Sequence, residues 1–399
     1  MSPYPAGRPH LVDPGPAHPG PAHPGPARPG PAVRPAPGEP DPCHPEAGFG
    51  DLMTRVREKV AAVCGGGAEH TAVVLTGSGT AAIEAALASA VPADGGVLVI
   101  DNGHDGERLH AVLASHGIRS RRLQLGWGAA VDPGLIGRLL AADPTLGHVA
   151  VVHHETSTGV LNDVAAVAAV ARAHGRRTVV DAVGSVGAED VDVARDGIDW
   201  LVGTADTCLE GVPGLAFVCA RREAFEELAG HPRRGFYLDL HRHYRAQEGD
   251  RAPAFTPAVP LFHAFEAALD LVLAEGVAAR GDRYRALAER LRTGLARLGL
   301  GLLASDRPAV GLTAVHLPEG MTYERLHEVL KRTGFAIHPC QGPLAEGFFR
   351  LPTTGRRGAA DVDRLLAVLE TVLPAPAADA DGRRSAEPSP GTPAGTGGG

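Results

Sequence analysis

Apolar and polar positions alternate in blocks through the middle of the chain. "TAVVLTG" is a short β-rich run without polar alternation, and "GTAAIEAALASAV" after it repeats apolar residues at helical spacing. "GGVLVIDNG" and "GERLHAVLASHG" repeat that pair, the helix ending at Gly117. "HVAVVHHETSTG" precedes the helix "DVAAVAAVARAHG", and "RRTVVDAVGS" precedes two further strands, "GIDWLVGTAD" and "GLAFVCA". Strands that are apolar throughout are buried on both faces. Their regular alternation with helices predicts an α/β fold with a doubly wound, mostly parallel sheet. From about Phe255 the pattern changes to helices with "VGLTAVHLP" and "GFFRLPTTG", which predicts a smaller C-terminal α+β lobe.

The ends read differently. "GPAHPGPAHPGPARPGPA" repeats a Pro/Gly/Ala unit that removes backbone donors and offers nothing to bury. Residues 1–42 are therefore expected to be a disordered arm, with histidines that are inert rather than metal-binding. Residues 43–255 form the large domain, 256–373 the small one, and 374–399 a disordered tail of the same composition. The formal charge of −8 gives no basic footprint for nucleic acid. No apolar run spans a membrane and no signal-peptide core is present, so no membrane partner is expected. The five cysteines show no paired spacing, which points to reduced thiols and a cytoplasmic protein. Only two lysines occur, Lys59 and Lys331.

In such sheets ligands bind off the carboxyl ends of the strands, so the residues just after each strand carry the chemistry. Ser78, Gly79 and Thr80 fall at a helix N-terminus, where free N–H groups and the dipole suit a phosphate; a plain glycine turn with an N-cap is the alternative. "GSGTAA" also matches G-x-G-x-x-A, with Asp101 about 24 residues beyond Gly77, which keeps a dinucleotide-dependent oxidoreductase as a rival. Asp181 ends a buried strand, where a carboxylate can hold a ring nitrogen protonated or simply cap a helix. Thr156 could bond a ligand or cap the next helix.

These motifs resemble a known family. "LTGSGTAAIEAALAS", "NGHDGERL", "VVHHETSTGVLNDV", "VVDAVGSVG" and "CLEGVPGLAFVCARR" are similar to class V aminotransferases of pyridoxal-phosphate fold type I, and within them to the 2-aminoethylphosphonate–pyruvate transaminases, from Cys43 to Leu373. The resemblance implies pyridoxal 5'-phosphate as cofactor. Ser78, Gly79 and Thr80 would cradle its phosphate, Thr156 would touch the ring hydroxyl, and Asp181 would face the ring nitrogen. Arg350 would bind the acid group of an amino acid or amino-phosphonate. The family is dimeric, each site bordered by both subunits.

Three positions depart from the pattern. The family has Asn-Lys-Cys where this chain has Asp206-Thr207-Cys208, so Thr207 replaces the Schiff-base lysine that holds the cofactor and moves its proton. Asp105 stands where the family carries an aromatic that stacks on the ring, with His104 beside it. Asp206 replaces an amide near the phosphate, where its charge is repulsive. The expectation is a protein degenerate for standard transamination, acting as a homodimer or with an active relative. The alternative is an enzyme that binds the cofactor non-covalently. Asp105, Asp181 and Asp206 with His104, His153 and His154 could gather around a metal, but no metal site is expected. Cys208 reads as a small buried apolar residue.

Overall fold

The computed structural model describes residues 47–373 except Ser305. Cys43, the arm and the tail lie outside these residues. A seven-stranded sheet organises the first two thirds. Its strands are β1 (His70–Thr76), β2 (Gly96–Asp101), β3 (Arg119–Gln124), β4 (Leu146–Val152), β7 (Arg177–Asp181), β8 (Trp200–Thr204) and β9 (Leu215–Arg221). Between β4 and β7 lies a small hairpin of β5 (His154–Glu155) and β6 (Val160–Leu161). The sheet order is β1-β9-β8-β7-β4-β2-β3. β3, β2, β4, β7 and β8 pair in parallel, while β9 runs antiparallel to both β8 and β1.

Strand alternation divides the core into two layers. Leu98 and Ile100 of β2, with Val149 and Val151 of β4, face one cluster. That cluster also holds α1 (Ala47–Val63), α4 (Pro133–Ala142) and α5 (Val164–Ala173). Val97, Val99, Ala150 and Val152 face the opposite cluster with α2 (Gly79–Ala90) and α3 (His104–Ser115). Side chains two apart share a face, so apolar strands feed both layers at once. The helices start where short polar side chains satisfy free N–H groups: Asp132 caps α4 through Gly134 N, and Asp163 caps α5 through Ala166 N.

After β9 come the short helices α6 (Arg222–Glu227) and α7 (Leu240–Tyr244), then α8 (Val259–Glu275) and α9 (Val277–Arg297). Although α8 follows residue 255, Phe262, Phe265 and Leu269 pack with α1 in the large-sheet core. The third cluster is the small lobe. It joins α9, α10 (Tyr323–Arg332) and α11 (Ala359–Val372) to the antiparallel sheet β10 (Leu312–His316), β12 (Phe348–Pro352) and β11 (His338–Pro339).

Two strand boundaries differ from the sequence reading. The apolar run after His148 ends at Val152, and His154–Glu155 turn away into the hairpin. β3, "RSRRLQ", is absent from the hydrophobic pattern because it is the sheet's edge, half-exposed and lined with arginines. The rival dinucleotide fold also fails here. It needs the first two strands adjacent and parallel, and four strands separate β1 from β2.

Candidate functional site

The carboxyl ends of β4, β7 and β8 meet the small lobe around a cavity of about 170 Å³. Asp105, Arg108, Val152, His154, Thr156, Asp181, Val183, Gly184, Thr207 and Arg350 line it, with Gly311, Leu312, Pro352 and Thr354. Six of the residues singled out from sequence are thus brought together: Asp105, His154, Thr156, Asp181, Thr207 and Arg350. Ser78, Gly79, Thr80 and Asp206 are not among the lining. Ser78 and Thr80 are exposed, and Ser78 makes no side-chain capping bond. Gly79 still packs tightly behind the site, since a Cβ there would come within 2.7 Å of Val183 Cγ2. Asp206 accepts from Thr204 Oγ1 at 2.5 Å.

A guanidinium organises the buried end. Arg108 Nη2 donates to Asp181 Oδ2 at 2.7 Å, and Arg108 Nη1 lies 3.1 Å from Asp105 Oδ1. Asp105 also accepts from the Thr156 amide at 3.1 Å and the Thr156 hydroxyl at 2.7 Å. The Thr156 hydroxyl proton is therefore directed at Asp105 rather than into the cavity. Burial pushes Asp105 up, but Arg108 and Thr156 more than offset this and hold it below the usual carboxylate range. Asp181 has fewer donors: burial raises it against the pull of Arg108, and Asp105 adds to the rise. Its Oδ1 accepts from Val183 N at 3.1 Å.

Glu155 fixes this arrangement from beneath. Its carboxylate takes the Asp105 and Gly106 amides at the start of α3, and also the amide and hydroxyl of Ser157. Burial, then the charge of Asp105, pushes Glu155 up to about 8. Gly103 allows the close approach, because a Cβ there would sit 2.4 Å from Glu155 Cδ.

Across the cavity, Arg350 on β12 donates through Nη1 to Thr156 O at 3.2 Å and through Nε to Pro339 O at 3.1 Å. It joins the small lobe to the loop after β5. His154 pairs Nδ1 with Gly184 O at 2.9 Å, while its buried Nε2 has no partner. Burial lowers its pKa, so the neutral ring presents a lone pair at Nε2. The turn from Ala205 to Gly214 carries Thr207 to the cavity. Cys208 beside it is buried with Sγ 3.4 Å from Gly184 O, and burial holds the thiol protonated.

Sequence reasoning missed Arg108, and it offered His154 only as a possible metal ligand. Arg108 was signalled only by its three-residue spacing from Asp105 on a helix, which places both on one face. His154 does reach the cavity, while its neighbour His153 turns the other way and pairs with Ser185 Oγ at 3.0 Å. His104 is exposed and outside the cavity lining. Among the described residues no three His, Cys, Asp or Glu side chains are grouped to hold a metal ion.

The doubly wound sheet with its single reversed strand, and the small lobe closing over the strand ends, define a fold type I aminotransferase. The family model for class V aminotransferases matches residues 43–348, and the chain belongs to that family. The 2-aminoethylphosphonate–pyruvate transaminase of Syntrophobacter fumaroxidans is 36% identical over 330 residues, covering 81% of this chain and 88% of the relative. That of Burkholderia ambifaria is 37% identical over 332 residues, covering 82% and 88%. The crystal structure of an alanine–glyoxylate aminotransferase from Nostoc sp. superposes with a TM-score of 0.82 at 26% identity, over 90% of this chain and 97% of the other.

Proposed function

We propose that this class V aminotransferase relative binds a small amino acid or amino-phosphonate between its two lobes and does not carry standard transamination by itself. The observation that carries the reading is the company of Thr207. It lines the cavity with Asp105, Asp181 and Arg350, and no lysine does. Lys59 is on α1, bound to Glu266 at 3.0 Å and Asp270 at 2.6 Å, and Lys331 is on α10. A threonine hydroxyl has neither an amine for covalent attachment nor a proton that moves near neutral pH.

Pyridoxal phosphate comes to this chain by family resemblance. The lining fits a group held by charge and hydrogen bonds and does not fit one anchored through a lysine. Asp181 remains at the end of β7, but its Oδ2 is already held by Arg108, and a carboxylate stands in place of the stacking aromatic. What the lining does supply suits an acid group, to which Arg350 offers a cation. Non-covalent use of pyridoxal or pyridoxamine phosphate by an active enzyme is the second reading, favoured by Asp181 still lining the cavity.

Assembly as a homodimer, or with an active relative, is supported by the exposed aromatics Phe236 and Tyr237, which pack on Phe255. The free, buried Cys64, Cys208, Cys219 and Cys340 suit a reducing, cytoplasmic setting. No helix among the described residues is long and apolar enough to cross a membrane. Calorimetric titration with 2-aminoethylphosphonate tests the reading. Wild type should bind, and Arg350→Met should bind roughly 10- to 100-fold more weakly for loss of a charged hydrogen bond. Equal binding by the two proteins would refute it.

A further inference from the structure

At the opposite edge of the sheet, four parallel strands begin around a second cavity. Gly96 opens β2, Arg119 opens β3, His148 lies near the start of β4 and Arg177 opens β7. Arg119, His148 and Arg177, with Gly95, Thr145, Gly147, Glu227 and His231, line a space of about 660 Å³, within the range of small-molecule sites. The inter-lobe cavity lies at the other ends of β4 and β7, so the two are separate.

His148 is the unexplained group here. It is only 4% exposed, and neither ring nitrogen has a hydrogen-bond partner. A buried polar group in that state costs free energy that a bound partner would recover. The backbone aims it deliberately. Gly96 faces Leu146 and Val97 faces His148, so Gly147 is an extra residue that bulges out of the ladder. Burial, with Arg177 and His231 adding like charge, takes His148 down to about 4, so the ring is neutral and one nitrogen donates.

Two arginines and two carboxylates line the cavity. Arg177 is already paired with Glu227 at 2.5 Å. Arg119 instead donates through Nη2 to the carbonyls of Asp94 and Thr145, which leaves its positive charge unneutralised by those partners. His231 uses Nδ1 on Ser89 O. The opposing Asp94 carboxylate also lines the cavity, so the pull is that of one arginine and hydrogen bonds rather than of a dense basic cluster.

We propose that this cavity is a second ligand site that takes a small oxyanion, a phosphate or a carboxylate, between the His148 ring and the Arg119 guanidinium. The test is calorimetric titration of the full chain with inorganic phosphate and, separately, succinate. Wild type, His148→Leu and Gly147→Val are compared. Gly147 has open space where a Cβ would stand and an ordinary backbone conformation, so valine narrows the cavity without straining the fold.

One equivalent of binding present in wild type should weaken at least tenfold in both variants, while any equivalent held by the inter-lobe cavity persists. Loss confined to phosphate assigns a phosphoryl ligand, and loss confined to succinate a carboxylate. Without ligand, His148→Leu should melt no lower than wild type, because it removes an unsatisfied polar ring. Absence of saturable binding of either probe to wild type would overturn the proposal. Undiminished binding in Gly147→Val would do the same, and that arm stands even if His148→Leu fails to fold.

Discussion

Replacing Arg108 with methionine would leave Asp105 and Asp181 facing one another without a cation. Breaking a buried ion pair by removing one partner costs about 3–5 kcal/mol. Arg108 keeps 28% of its side-chain surface exposed, and water reaching the vacated space reduces the loss to about 2–3 kcal/mol. Unfolding entropy near 2.1 cal/mol/K per residue, over roughly 330 residues, converts this to a fall in Tm of about 3–4 °C.

The pH dependence has a definite sign. In wild type, the depressed Asp105 contributes stability above its unfolded pKa, lost as pH falls through its folded value. Without Arg108, burial and mutual repulsion raise both carboxylates above their unfolded values. The resulting penalty is full at neutral pH and is relieved as they protonate. The gap in Tm between wild type and Arg108→Met, followed by circular dichroism, should therefore narrow from pH 8 to pH 5. Adding Asp105→Asn to the variant should recover part of the loss. A gap below 1 °C, or one that does not change with pH, would refute the claim that Arg108 neutralises this pair.

Thr207→Lys alone should not restore alanine formation from 2-aminoethylphosphonate and pyruvate with pyridoxal phosphate supplied, because the Asp105 carboxylate still lines the cavity, where we propose it replaces a stacking aromatic; turnover in a coupled assay would contradict this. Tyr284→Phe should lower stability by about 1–3 kcal/mol in urea titrations. The phenol donates to buried Glu210 and accepts from Gly355 N at 3.2 Å, and both would lose a partner. Gly103→Ala should cost about 1–3 kcal/mol by forcing a Cβ against Glu155 and Ser157, and hydrogen exchange should show the start of α3 loosened first.

The sheet was legible because strands buried on both faces write continuous apolar runs, which "VVLT", "VLVI" and "TVVD" do. The same rule hides β3, whose arginines belong to a solvated edge. It also runs β4 into its neighbour, since His153, His154 and Glu155 are as buried as the valines before them. The positions at the strand ends were legible too: Asp181 and Thr207 line the cavity as their places after β7 and β8 require. What the sequence could not convey was partnership. Thr156 is at the cavity, yet its hydroxyl is committed to Asp105 across 51 residues, and Arg108 reaches Asp181 across 73. Such contacts depend on the fold closing and leave no local pattern.

The most direct measurement uses the chain's two lysines. Wild type and a Lys59→Arg/Lys331→Arg variant, which contains no lysine, would be mixed with pyridoxal phosphate and followed by visible absorption, by alanine formation from 2-aminoethylphosphonate and pyruvate, and by intact mass after borohydride. The account predicts no alanine from either protein and the same cofactor absorption in both. Turnover in wild type that disappears with the lysines, accompanied by a borohydride-fixed adduct, would contradict it and place an amine at the site that Thr207 occupies.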